Sequence, residues 1–127
     1  MAPIHAADTT AAERAEVMTQ AVTRASELMG LSPAELARTL GLSRASISRM
    51  QHGRYLLSEE SKSWELGVLL VRLFRGLDAI TAGDEQSLRA WMRNNNMDLR
   101  AVPAEYIQGV AGLAETVSYV DGYRARV

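Results

Sequence analysis

Residues 32–54 read SPAELARTLGLSRASISRMQHGR, which is two short helical patterns separated by a tight turn. Pro33 suits the first turn of a helix, and Ser32 before it can accept hydrogen bonds from the free N–H groups there. Gly41 stands where a helix often ends in a left-handed residue, and Ser43 can cap the helix that follows. The stretch therefore predicts a helix-turn-helix.

The second helix of this unit is predicted over residues 44–51. Ile47 and Met50 lie three residues apart and form its inward face, so its other side chains point away from the core. Small Ala37 in the first helix lets the two helices approach closely, and Gly41 permits the corner between them.

Positive charge is concentrated in the same segment. Residues 32–54 carry four arginines and one glutamate, a net of 4 − 1 = +3, whereas the whole chain carries −1. Arginine and serine donors suit phosphate oxygens and guanine edges, and a recognition helix contacts bases through its N-terminal half. The predicted DNA-binding residues are Ser43, Arg44, Ala45, Ser48 and Arg49.

The spacing of Ala37, Gly41 and Ile47 resembles the helix-turn-helix of the Xre or Cro repressor group, and SRASISRMQHG resembles that group's recognition helix. One alternative is a helical corner with a solvated, mildly basic face. Another is a helix-turn-helix that is retained for folding and does not bind DNA by itself.

The composition indicates one domain or two small, closely packed ones. Of 127 residues, 47% are hydrophobic and 23% are charged, and the absence of cysteine excludes disulfides, thiolate metal sites and cysteine nucleophiles. There is no run of about eighteen apolar residues and no secretory signal pattern, so we expect a cytoplasmic protein without a membrane contact. A pI of about 6.1 restricts any DNA contact to a local surface.

Residues 1–10 are expected to form a flexible lead in which His5 has no role, and residues 11–57 the DNA-binding region. The first helix of that region follows from apolar residues at alternating spacings of four and three, namely Ala11, Ala15, Met18, Val22, Ala25 and Met29. Residues 58–83 contain a connecting helix, predicted over about 59–81 and capped by Ser58 or Ser61. Its wide apolar stripe indicates mainly core, and dimerisation through part of it is the second interpretation.

Residues 84–127 are predicted to form a second helical unit. Asp84 is placed to cap a helix whose inward residues are Leu88, Trp91 and Met92. The asparagines at 94–96 mark a loop, and Pro103 starts a short helix. A final helix has one apolar side, made of Val110, Leu113, Val117 and Val120. Asp121-Gly122 is expected to interrupt that helix and leave residues 123–127 as an extension.

The order of features after about Gln86 resembles the toxin-binding domain of the MbcA, ParS and Xre antitoxins. The residues that carry the resemblance are Leu88, Trp91, Asn94, Asn95, Asn96, Pro103, Tyr106, Ile107, Gly109, Leu113, Val117, Val120 and Gly122. The resemblance implies an antitoxin of a type II toxin-antitoxin system. Its partner would be a RES-fold toxin that consumes NAD or ADP-ribosylates a target protein, and the complex would bind its own promoter.

In that family the C-terminal segment enters or covers the toxin's NAD pocket. The resemblance thereby assigns toxin binding in this chain to Trp91, Tyr119, Gly122, Tyr123, Arg124, Arg126 and Val127. The family pattern usually ends with a glycine followed by apolar residues, whereas this chain ends Tyr-Arg-Ala-Arg-Val after Gly122. An aromatic ring, guanidinium groups and a terminal carboxylate are therefore the groups expected at the toxin's pocket.

We do not expect this chain to be an enzyme, and we expect it to bind neither a metal nor a cofactor. A hydrolase or transferase needs a nucleophile, a base and an orienting group in one pocket, or a metal site. The chain has only His5 and His52, no HExxH motif and no Gly-rich phosphate loop.

The sequence thus predicts an all-α antitoxin, with an Xre-like helix-turn-helix joined by a long helix to a small toxin-binding domain. Its expected partners are the toxin, operator DNA and further copies of itself in a hetero-oligomer. A stand-alone dimeric Xre-family transcriptional repressor is the alternative.

Overall fold

The computed structural model describes residues 2–125, and of residues 2–9 it describes the backbone only. This part of the chain forms the helices α1 (Ala2–Leu28), α2 (Pro33–Leu40), α3 (Arg44–Gln51), α4 (Lys62–Ile80), α5 (Glu85–Arg93), α6 (Pro103–Tyr106) and α7 (Val110–Ala125). Residues 2–125 contain no strand, and Asn96 and Ala101 form an isolated antiparallel bridge. The all-α prediction is confirmed. None of these helices is long and apolar enough to cross a membrane.

The helix-turn-helix forms through the local signals of its sequence. At the start of α2, Ser32 Oγ accepts from the Glu35 N–H at 3.1 Å and Glu35 Oε1 accepts from the Ser32 N–H at 2.9 Å, which completes a capping box. Gly41 ends the helix with φ +68° and donates its N–H to the Ala37 carbonyl. Ser43 Oγ then accepts from the Ser46 N–H and caps α3. The predicted helix-turn-helix is confirmed.

Helix α4 is the central element of the core. It packs against α1 in the half that contains the helix-turn-helix and against α7 in the other half. Leu70, Leu73 and Leu77 are fully buried on it, among the side chains of both halves. Burying a leucine contributes roughly 1.5–3 kcal/mol relative to exposure. The leucine stripe therefore joins the two halves through one continuous core.

Two buried polar contacts fix the chain around the helix-turn-helix. The Leu57 N–H donates to Thr19 Oγ1 on α1 at 2.9 Å, and Ser63 Oγ donates to the Leu40 carbonyl at 2.9 Å. The first bond holds the segment that follows α3, and the second holds the C-terminal end of α2. A backbone N–H of a loop and a carbonyl at a helix end are thus satisfied by side chains from other helices.

Arginines of α5 connect the second half directly to the first. Arg89 Nη2 donates to the Glu27 carbonyl at 2.7 Å, and Arg93 Nη2 donates to the Gly30 carbonyl at 2.5 Å, so two side chains one turn apart bind the carbonyl end of α1. Cations suit that end of a helix because its free carbonyls carry partial negative charge. Arg93 also contacts Glu35 on α2 through both nitrogens, each at 2.6 Å.

Several helix boundaries differ from those predicted. Helix α1 already includes Ala2, whereas the apolar pattern indicated a start at Ala11. Helix α4 begins at Lys62, three residues later than predicted, because Ser61 and not Ser58 supplies the capping oxygen. Asp84 lies at the N-cap of α5, but its carboxylate makes no bond to the helix backbone and accepts instead from Ser87 Oγ at 2.5 Å.

The last helix differs most from its prediction. Helix α7 continues through Asp121-Gly122 to Ala125, so the interruption predicted there was wrong. Arg72 of α4 pairs with Asp121 at 2.6 Å, which ties that turn to the core. Val110, predicted on the inward side, is 62% exposed, and the buried side is made of Gly112, Leu113, Thr116, Val117 and Val120.

Candidate functional site

Helix α3 presents all five predicted DNA-binding residues to solvent. Ile47 is fully buried and Met50 is 3% exposed, which fixes the rotation of the helix. As a result the opposite face is open along the row of residues Ser43, Arg44, Ala45, Ser48 and Arg49. Small residues alternate with arginines on this face. Because small side chains project little, the edge of a DNA groove could approach the helix backbone there.

The two arginines of this face are held differently. Arg49 Nη2 donates to Ser46 Oγ at 3.1 Å, and its guanidinium lies 5.9 Å from the centre of the Tyr55 ring. Ser43 Oγ also donates to Ser46 Oγ, at 3.0 Å. Arg44 has no side-chain partner among the described residues. Arg49 is therefore pre-positioned by a hydrogen bond and a cation–π contact, while Arg44 remains free to follow its ligand.

Ser46 and Tyr55 also belong to this site, although no sequence pattern predicted them. Ser46 is half-buried and accepts hydrogen bonds from both neighbours, so it orients the row without belonging to it. Ser46 lies three residues after the capping Ser43, and this spacing was the sequence signal that could have indicated a contact between them. Tyr55 follows the helix in an irregular segment, where periodicity carries no information.

The one acidic residue of the segment is paired with a cation from outside it. Hydrogen bonds from the Arg93 guanidinium, supported by the Ser32 N–H, lower the pKa of Glu35 from 4.5 to about 2 although burial opposes the change. The four arginines of residues 32–54 are thus left without a free acid in the same segment, and the local charge is suited to phosphate.

His52 lies at the end of the recognition helix. Its Nδ1 lies 2.7 Å from the Ser48 carbonyl, and because a carbonyl oxygen only accepts, the Nδ1–H is the donor. His52 thereby closes the last turn of α3 and is exposed to solvent. This geometry is that of a helix-end residue.

Aromatic side chains meet on a second surface, between α4, α5 and α7. Trp91, Tyr119 and Tyr123 line a cavity of about 240 Å³ whose apolar walls also include Leu77, Ile80 and Val120. We call this the aromatic pocket. Tyr123 is 49% exposed and Ile80 is 38% exposed, whereas Leu77 and Val120 are buried at its base. The pocket therefore has a fixed floor and an accessible rim.

Hydrogen bonding fixes the central ring of this pocket. The Tyr119 hydroxyl donates to Asp98 Oδ2 at 2.7 Å, and this bond, with partial burial, raises the pKa of Tyr119 above its usual value. Asp98 belongs to the loop between α5 and α6. The loop thus anchors the Tyr119 ring, which lines the pocket together with Trp91 and Tyr123.

Comparison with known families identifies the two domains in which these surfaces lie. Residues 8–72, just over half of the chain, match the antitoxin Xre-like helix-turn-helix domain. Residues 76–126 match the antitoxin Xre/MbcA/ParS C-terminal toxin-binding domain. The chain belongs to the Xre-like antitoxin family. Comparison with curated protein sequences found no match.

The two matches place both surfaces of this antitoxin. The recognition helix lies in the first matched segment, and the six residues of the aromatic pocket all lie in the second. The matched segments meet inside α4, between residues 72 and 76. The connecting helix therefore contributes to the core of both domains of the antitoxin.

Gly122 and Arg124, which are also predicted to bind the toxin, do not line the aromatic pocket. Gly122 is exposed, with open space where a Cβ would lie, and Arg124 lines a groove that α7 shares with α1 and α4. Arg126 and Val127 lie outside the described residues. Of the predicted set, the structure thus brings together Trp91, Tyr119 and Tyr123. Residues 10–125 contain no group of acidic, histidine or cysteine side chains that fits a metal ion.

Proposed function

We propose that this antitoxin neutralises a RES-fold toxin that consumes NAD or ADP-ribosylates a target protein, and that it does so by covering the toxin's active site with its C-terminal region. We also propose that it represses its own operon by binding DNA. The aromatic pocket carries the first part, because three side chains that the family resemblance assigns to toxin binding converge there within the toxin-binding domain.

The chemistry of the aromatic pocket suits a protein partner. Tyrosine and tryptophan dominate binding hot spots, since each buries a large apolar area and keeps one polar group for a hydrogen bond. Tyr123 follows Tyr119 by one helical turn, so both rings are carried by the regular backbone of α7. A helix end held in this way loses little conformational entropy on binding, in contrast to a flexible plug.

The toxin-binding part is tested by co-expression with the product of the adjacent gene. We expect the full chain to form a stable complex with that product, to prevent its NAD consumption and to restore growth. Tyr123→Ala and Trp91→Ala each weaken the complex by about tenfold or more, as hot-spot truncations do. Ser118→Ala, an exposed position on α7 outside the pocket, is the matched control and leaves the complex unchanged.

The same experiment separates the antitoxin from a stand-alone dimeric repressor. A neighbouring product that neither binds the chain nor harms the cell favours the repressor. If that product binds equally well to Tyr123→Ala, Trp91→Ala and a chain ending at Gly122, the pocket and the C-terminal turn are not the toxin-binding surface.

The DNA-binding part rests on the exposed face of α3. A single short helix adds little specific affinity to the non-specific attraction of DNA phosphates. Two copies are therefore expected to present recognition helices about one DNA turn, ~34 Å, apart. The two arginines of this face differ in how their side chains are held before DNA binds. Arg49 is held by Ser46 and Tyr55, whereas Arg44 is not.

Operator binding at fixed salt tests this assignment. Arg44→Ala and Arg49→Ala should each weaken specific binding by roughly 1–3 kcal/mol, as expected for a lost base contact. Lys62→Ala removes one positive charge at the start of α4, away from α3, and should leave specific binding nearly unchanged. Unchanged operator affinity in both arginine variants would show that α3 is not the recognition helix.

A further inference from the structure

The aromatic pocket has the size of a receptor for one side chain. Its volume of about 240 Å³ lies below the range of about 300–1,000 Å³ that is typical of small-molecule sites. Leu77 and Val120 are buried at its base, and Trp91 and Tyr119 are half-buried in its walls. A single side chain of a partner protein therefore fits this pocket better than a whole cofactor does.

Polar groups stand at the rim of this apolar pocket. The Tyr119 hydroxyl donates to Asp98 Oδ2 at 2.7 Å. The side chains of Asn96 and Tyr123 also act on the pKa of Tyr119, so both lie close to it. Asp98 forms no ion pair with a side chain of residues 10–125. The rim therefore carries a carboxylate whose charge is not neutralised within the described chain.

The carboxylate belongs to a loop that is held in place by its own contacts. Asn96 and Ala101 exchange two backbone hydrogen bonds, of 2.8 and 3.3 Å. Asn96 Oδ1 accepts from the Leu99 N–H at 3.0 Å, and the Leu99 side chain is buried. Because this loop needs little further ordering when a partner binds, a contact with its carboxylate loses little conformational entropy.

An apolar pocket with a carboxylate at its rim is complementary to a long basic side chain. Lysine and arginine carry an apolar stem, which can lie along buried surface, and a cationic head, which stays at the polar edge. Aromatic rings attract the cation, and a carboxylate pairs with it through charge-assisted hydrogen bonds. An aliphatic side chain would instead cover the Asp98 carboxylate without pairing it, which costs free energy.

A toxin that uses NAD is expected to carry basic side chains at its active site. The pyrophosphate of NAD is an anion, and arginine and lysine are the side chains with which proteins bind phosphate groups. We propose that the aromatic pocket, together with Asp98, receives a basic side chain with which the toxin binds the NAD pyrophosphate. This inference rests on the proposed function. The antitoxin would then remove a substrate contact in addition to covering the active site.

Affinity for the product of the adjacent gene tests the carboxylate and the ring separately. Asp98→Asn keeps an oxygen that can accept from Tyr119 and removes the charge, so it should raise the dissociation constant by about tenfold or more. Tyr123→Leu keeps apolar volume and loses the ring, so it should also weaken the complex, whereas Tyr123→Phe should bind nearly like the wild type. The matched control is Glu60→Gln, which removes one negative charge at an exposed position before α4 and should leave the affinity unchanged.

Substitutions in the toxin identify the side chain that enters the pocket. When the toxin's arginines and lysines are replaced by alanine one at a time, one variant should lose about as much affinity as Asp98→Asn does. Combining that variant with Asp98→Asn should cost little more, because the two groups act as one pair. Without the antitoxin, the same toxin variant should bind NAD more weakly.

Two results would overturn this proposal while toxin binding by the pocket stands. One is wild-type affinity in Asp98→Asn and Tyr123→Leu although Tyr123→Ala weakens the complex, which would mean that an apolar side chain enters the pocket. The other is a coupled toxin residue whose loss leaves NAD binding unchanged. Wild-type affinity in both Tyr123→Ala and Trp91→Ala would overturn this proposal and the proposed toxin-binding surface together. Circular dichroism confirms that every variant is folded.

Discussion

We predict that the contact between Arg93 of α5 and Glu35 of α2 stabilises the packing of the two domains against each other. Arg93 donates to both oxygens of the Glu35 carboxylate at 2.6 Å and to the Gly30 carbonyl at 2.5 Å. The side chain of Glu35 is 13% exposed and that of Arg93 is 45% exposed. Replacing Arg93 by methionine keeps an unbranched apolar stem and removes three charge-assisted hydrogen bonds.

The magnitude follows from the pKa of Glu35. Arg93, with Ser32, lowers this pKa from 4.5 to about 2. Each tenfold change in the acid constant contributes about 1.4 kcal/mol, so the full change would correspond to about 3 kcal/mol. Because Arg93 is half-exposed and water screens the pair, we expect Arg93→Met to lower the free energy of unfolding by about 1–2 kcal/mol at pH 7.

The same pair gives the antitoxin an acid-sensitive stability. The carboxylate binds protons less readily in the folded chain than in the unfolded chain, so its contribution is complete well above pH 4.5. It is lost as the pH falls from about 4.5 towards 2. In Arg93→Met the pKa of Glu35 returns towards 4.5, so this part of the pH dependence should shrink.

Denaturant unfolding between pH 2 and 7, followed by tryptophan fluorescence, measures these quantities, and an NMR titration reports the pKa of Glu35. The control is Lys62→Met, which removes an ion pair with Glu65 whose side chains are 76% and 66% exposed, and which should change stability little. If Arg93→Met and Lys62→Met behave alike, or if Glu35 titrates near 4.5 in the wild-type chain, the pair does not couple the domains.

Three further predictions concern the packing of single residues. Gly112→Ala should destabilise the antitoxin by about 3 kcal/mol, because the added Cβ would lie 2.0 Å from the Tyr106 carbonyl oxygen. Gly122→Ala on the same helix meets open space and should stabilise the antitoxin by about 0.5–1 kcal/mol. Thermal unfolding compares the two variants. Thr19→Val should cost about 1–3 kcal/mol in denaturant unfolding, since it leaves the buried Leu57 N–H without an acceptor, while Thr23→Val, which loses only a bond to its own helix, should cost less. Asp98→Asn should return the raised pKa of Tyr119 towards its usual value of 10.0, as an ultraviolet titration would show. Because the folded wild-type chain holds the Tyr119 proton more tightly than the unfolded chain, it loses stability above pH 10, and this loss should be smaller in the variant. An unaltered titration would mean that Asp98 does not act on this ring.

Sequence patterns predicted which face of α3 is exposed, but they did not predict how the residues proposed for toxin binding are grouped. All five residues predicted for DNA binding are exposed. Arg44, Ala45, Ser48 and Arg49 share one face of α3 and Ser43 caps its start, since a rotation set by Ile47 and Met50 follows from spacing alone. The residues predicted to bind the toxin were assigned by resemblance, and those on the described part of α7 do not share one surface. Tyr119 and Tyr123 line the aromatic pocket, whereas Arg124 lines the groove that α7 shares with α1 and α4.

The sequence by itself determined the elements whose signals lie within a few residues. Ser32 and Glu35 complete a capping box three residues apart, and Gly41 ends its helix in the left-handed region, so the helix-turn-helix needs no distant contact to be recognised.

Only the tertiary structure decided how distant segments meet. Arg93 binds Glu35 across 58 positions, Gly112 is required by the nearby Tyr106 carbonyl, and Arg72 of α4 pairs with Asp121 of α7. Periodicity reports which side of a helix is buried but not which side chain of another helix lies against it, because that depends on how the helices pack together.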